Sequence, residues 1–154
     1  MIGTIDKGCW WHLSGCGIRN QAFLEIGDFE PDLDYSGDWE WSLRCLASGH
    51  GIWYLPRSTM LYREHAGSIS SRSIRRGRDV REALWILRAM RERGFLSVSE
   101  YEVRVRRLIR QTARRTITRA ARADIHSLFN HWSLLVDMSV GYIRGRTLGV
   151  RRAF

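Results

Sequence analysis

"GIWYLPRSTMLYREH", residues 51–65, is the stretch on which the fold class turns. It places Ile52, Trp53, Tyr54, Leu61 and Tyr62 close together and is broken once, at Pro56–Arg57. Aromatic and β-branched residues suit a pleated, half-buried surface, so the stretch reads as two short strands, 51–56 and 58–65. Strands set among helical patterns make an α/β chain.

Towards the N-terminus, Trp39, Leu43, Leu46 and Ala47 recur at helical spacing and predict a helix over about 38–48. Gly49 is placed to end it. The loop "EPDLDYSG" (30–37) precedes this helix, and a short helix ends at Gly27.

Towards the C-terminus, "AGSISSRSIRRGR" (66–78) is small, polar and basic, which marks a boundary. A helix over 78–94 carries Val80, Ala83 or Leu84, Leu87 and Met90 on one stripe and stops at Gly94. Ser97 with Glu100, and Ser99 with Glu102, each have capping-box spacing and open a long helix. Tyr101, Val105, Leu108, Ile109 and Thr112 share one face of it, and a last helix covers about 124–142. The expected organisation is a body over 1–70, a linker over 71–78 and a helical extension over 79–154.

Charge divides the same way. Residues 1–70 carry five basic and nine acidic side chains, net −4, and residues 71–154 carry twenty and seven, net +13. Such asymmetry marks a body with a basic extension whose partner is anionic. All the basic residues except Lys7 are arginine. An overall compositional bias towards arginine accounts for that without phosphate binding, so nucleic acid is the less favoured partner. An anionic membrane surface is the other choice, with Leu128, Phe129, Trp132, Leu135, Met138 and Tyr142 partly inserted.

Cys9, Cys16 and Cys45 form no C-x-x-C pair, so reduced thiols are expected, with Cys16 a small buried residue. The start "MIGTIDKGCWWH" lacks the build of a signal peptide, and no run is long and apolar enough to span a membrane. The expected location is the cytoplasm, with peripheral attachment at the inner face of the plasma membrane as the variant. His126 and His131 share a helix face too poorly to form a metal pair.

Five short elements then stand in order. They are Gly15, Gly17 and Arg19; Gly27, Asp28, Phe29 and Glu30; Asp38, Trp39, Leu43 and Arg44; Tyr54, Leu55 and Pro56; and Tyr62, Arg63, His65, Ser68 and Ser70. Together they resemble the second half of a family 2 glycosyltransferase of the GT-A type. The resemblance implies a partial GT-A-like α/β fold and transfer of a sugar from a nucleotide-diphosphate donor to an acceptor hydroxyl, with inversion. The acceptor it implies is a glycan or a lipid-linked glycan.

By position, the resemblance makes Asp38 the catalytic base. An alcohol is a weak nucleophile and needs a carboxylate to take its proton as it attacks the anomeric carbon. A helix start suits that acid, because unpaired N–H groups there favour negative charge. Asp34, Trp39 and Glu40 are implied as acceptor contacts, and Arg63 as a cation for the departing phosphates. His65 matches the late histidine that helps hold a divalent cation, Mg or Mn. Two features depart from the pattern: Gly37 stands where a glutamate is expected before Asp38, and the nucleotide-binding half with its D-x-D motif would lie before residue 1. The expectation is thus a C-terminal portion that works with a missing N-terminal half. From another functional class, the alternative is a non-enzymatic adaptor whose basic helices bind a membrane surface or nucleic acid.

Overall fold

The structure, a computed structural model, describes residues 8–9, 11–63, 65, 67–121 and 125–147. The chain divides into two compact units, Met1–Ile69 and Ser70–Phe154. Among the described residues six α-helices are formed: α1 (Asn20–Ile26), α2 (Gly37–Ala47), α3 (Ile69–Arg75), α4 (Arg78–Glu92), α5 (Val98–Ala121) and α6 (Ile125–Thr147).

Among the described residues there is no β-strand, so the α/β, GT-A-like expectation is corrected to an all-helical fold. The reason lies in 51–63. These residues are extended, but within them the one backbone–backbone hydrogen bond among the described residues runs from Arg57 N to Leu55 O, at 2.8 Å. A strand is held by a neighbour that takes its N–H and C=O groups and packs on one of its faces. Here both are lacking: Trp53 is 91% exposed and Tyr54 81%. Aromatic content reported a propensity that no partner realises.

The first unit is organised by α2. Leu33, Trp39, Trp41, Leu43 and Cys45 are buried, with Leu43 fully enclosed. Phe23 from α1 and Phe29 from the following loop close on Trp41, with ring centroids 5.0 and 5.7 Å from it. Such offset aromatic contacts each add about 0.5–1.5 kcal/mol beyond area burial. Helix α2 ends as its sequence predicts. Gly49 takes φ +84°, its N–H meets Leu46 O at 3.2 Å, and His50 N meets Cys45 O at 3.1 Å. That pairing satisfies two of the last carbonyls of the helix.

The second unit is built from three long amphipathic helices. Val80 and Leu84 from α4, Leu108 and Ile109 from α5, and Leu134 and Met138 from α6 meet in one core cluster. The predicted stripes are largely those that are buried, with Ile86 added as a fully enclosed member. Residues 69–75 of the expected boundary segment are helical. Met138 belongs to the core and so is not available to insert into a membrane, while Leu135 is half-buried. The side chains of Leu128, Tyr142 and His126 lie outside the described residues.

Two local devices fix this bundle. Gly77 is buried at φ +69° just before α4, and a Cβ there would collide with Leu134. At the start of α5 the capping box forms as spaced: Ser97 N donates to Glu100 Oε2 at 2.9 Å, and Glu100 N donates to Ser97 Oγ at 3.3 Å. Glu102 instead pairs with Arg106 at 2.8 Å, so the second candidate box is not used. No described helix is long and apolar enough to cross a membrane.

Candidate functional site

The site is assembled around the first turn of α2. Asp38 is half-buried there, and its Oδ1 accepts the N–H of Trp39 at 2.8 Å. Its position is set by a polar clamp one turn further on. Arg44 Nε reaches both carboxylate oxygens of Glu40 at 2.9 Å. The two remaining nitrogens of the same guanidinium donate to Ile26 O and Asp28 O, both at 2.6 Å. Trp41 Nε1 adds a bond to Gly27 O at 2.8 Å. One planar fork thereby ties the turn after α1 to α2, a geometry that lysine cannot reproduce.

On its other flank Asp38 meets the loop 9–16. Burial, with Asp38's negative charge and hydrogen bonding behind it, pushes the Cys9 thiol up to about 12. Cys16 is also raised, first by desolvation and then by Asp38. Both shifts favour the neutral thiol over the thiolate. Cys16 is exposed rather than buried, because its side chain turns back to His12 O at 3.1 Å.

The loop 9–16 in turn carries the segment 59–62. Thr59 Oγ1 donates to Gly15 O at 3.2 Å, Ser14 Oγ lies 3.2 Å from Met60 Sδ, and the rings of His12 and Tyr62 stack at 4.8 Å. The approach is tight: a Cβ on Gly15 would stand 3.0 Å from Thr59 Oγ1 and 3.2 Å from Met60 Sδ, so either side chain would have to shift by a few tenths of an ångström. Four of the five sequence elements therefore converge on one unit. Residues 12–16 meet 59–62, the turn 26–28 is tied to α2 through Arg44 and Trp41, and Asp38 on α2 lies within electrostatic reach of Cys9 and Cys16.

The other site residues fall differently. Trp39 is buried, and its Nε1 has no hydrogen-bond partner among the described residues. Trp41 is core as well, so neither tryptophan offers an open face to a sugar. Glu40 is fully buried inside the clamp, and an acceptor would reach it only if that clamp opened. Asp34 is exposed in the turn before α2. Arg63 and His65 are exposed just beyond Tyr62.

Among the described residues no three His, Cys, Asp or Glu groups gather as metal ligands, and the His65 ring lies against Gly67.

Sequence reasoning missed Arg44 as the organising residue, although Glu40 and Arg44 at i, i+4 carried the signal. It also missed His12, for which no local pattern exists. No protein-family model, no curated protein and no solved structure matches the chain.

Proposed function

We propose that the first unit serves inverting sugar transfer, as in the family 2 glycosyltransferases that its sequence elements resemble. The observation that supports this most is that Asp38, on the first turn of α2, lies against the Cys9 thiol and within electrostatic reach of Cys16. The segment carrying those thiols also packs on 59–62 through the His12–Tyr62 stack. A carboxylate held by the first turn of a clamped helix, flanked by thiols shifted towards their neutral form, can take the proton of an attacking hydroxyl. In the reaction, the acceptor hydroxyl attacks the anomeric carbon and its proton passes to Asp38. The bond from that carbon to the diphosphate breaks, and its electron pair leaves with the nucleoside diphosphate.

Arg63 is the cation assigned to the departing phosphates, and Asp34 an acceptor contact in the exposed turn. Helix-only architecture supplies no nucleotide-binding sheet among the described residues, so the donor is held by a separate polypeptide region. No step is assigned to a metal.

The test is release of nucleoside diphosphate from a panel of nucleotide-diphosphate sugars. It uses the full chain with its donor-binding region and lipid-linked glycans as acceptors. Asp38→Asn is expected to slow release by about a hundredfold to ten-thousandfold with thermal unfolding unchanged. An undiminished rate removes Asp38 as the base. Absence of both transfer and calorimetric binding of any nucleotide sugar would leave the adaptor reading in its place.

A further inference from the structure

The outer face of α6 is apolar where a helix of a water-facing bundle is ordinarily polar. His131, Leu134 and Met138 turn inward and are buried. On the opposite side Phe129 is 73% exposed and Trp132 59%, and Val136 and Val140 continue the same line. Their spacing of three, four and four residues keeps them within less than a quarter of the helix circumference. From Phe129 to Val140 the ridge runs roughly 16 Å. Asp137 is the one charged residue, histidines aside, between 125 and 143, and it lies beside the ridge rather than on it.

The adjacent helix α5 is the complement. Its exposed face carries Arg107, Arg110 and Arg114 at i, i+3 and i+7, with Arg106 beside them and Val103 and Ile117 interleaved. The segment 71–154 as a whole has net charge +13.

From this pairing of an exposed apolar ridge with an arginine face we infer that the second unit attaches peripherally to an anionic lipid bilayer. The ridge on α6 inserts at the level of the headgroups. Charge selects this occupant. A second copy would bring two +13 segments face to face, whereas a surface of anionic headgroups neutralises them. Nucleic acid would answer the arginines but leave Phe129 and Trp132 in water. The inserted set differs from the one that spacing alone suggests, since Met138 faces the core. This inference stands independently of the sugar-transfer reading.

Co-sedimentation of the full chain with vesicles tests it. One set is phosphatidylcholine alone and the other contains about a third phosphatidylglycerol, each at low and high salt. Binding is expected on the anionic vesicles at low salt, at least tenfold weaker on neutral ones, and reduced by high salt. Trp132→Glu with Val136→Glu should lower binding at least tenfold while circular dichroism stays unchanged. Arg107, Arg110 and Arg114 changed together to Gln should weaken it by about fivefold per arginine.

Equal binding to both vesicle types, or none to either, overturns the inference. So does a lipid-free dimer in sedimentation equilibrium that the Trp132 and Val136 changes dissociate. Duplex or single-stranded DNA binding that those changes weaken in parallel, with no vesicle binding, overturns it as well.

Discussion

The two units reach order by opposite routes. The first has short helices, long connections and a buried polar clamp, in which Arg44 serves Glu40, Ile26 O and Asp28 O at once. The second has long helices whose apolar stripes meet in a continuous core of Val80, Leu108, Leu134 and their neighbours. Order that hangs on one guanidinium is brittle but places a carboxylate accurately. Order spread over three helix faces is robust and leaves the outer surfaces free for another task. The proposed roles divide the same way, with chemistry at Asp38 and attachment on α5 and α6.

The sharpest way to break this contrast is Arg44→Ala. It leaves the buried Glu40 carboxylate without its guanidinium and should destabilise the first unit by about 3–5 kcal/mol. Hydrogen exchange should rise over α1 and α2 and stay unchanged over α4 to α6. A uniform rise over the whole chain would contradict the separation. Gly77→Ala is the converse. The positive φ and the collision with Leu134 should cost the second unit about 2–3 kcal/mol, read as a lower urea midpoint for its helical signal.

The smallest effect belongs to the start of α5. Hydrogen bonds from the Ser97 hydroxyl and N–H hold the Glu100 carboxyl below the ordinary glutamate range. A lowered folded value means that the stabilisation is present above the ordinary glutamate range and is lost as pH falls through the folded value. Ser97→Ala should flatten that acid limb of the stability curve, measured by thermal melts between about pH 5 and pH 2. A limb that stays steep would assign the acid sensitivity to another carboxyl.

The same contrast explains what could be read beforehand. The helices were legible because they carry their own evidence: a repeat of 3.6, a capping box at Ser97–Glu100, a glycine stop at Gly49. The state of 51–65 was not, since strand formation depends on a neighbour that local composition does not report. At the site, Asp38 on a helix start was legible from its motif. The burial of Glu40 and Trp39 was not, because the clamp depends on carbonyls of Ile26 and Asp28 that any residue presents. Cys9 and His12 enter through tertiary contact alone.

The central claim is that Asp38 faces the loop 9–16, where the sequence elements converge. Thiol alkylation tests it most directly, with iodoacetamide rates at Cys9 and Cys16 measured near pH 8.5, about the ordinary thiol value. Asp38 helps to keep both thiols protonated, so Asp38→Asn should raise the alkylation rate at each severalfold, while Cys45 remains as slow as before. Unchanged rates at both Cys9 and Cys16 would place Asp38 away from that loop and contradict the account.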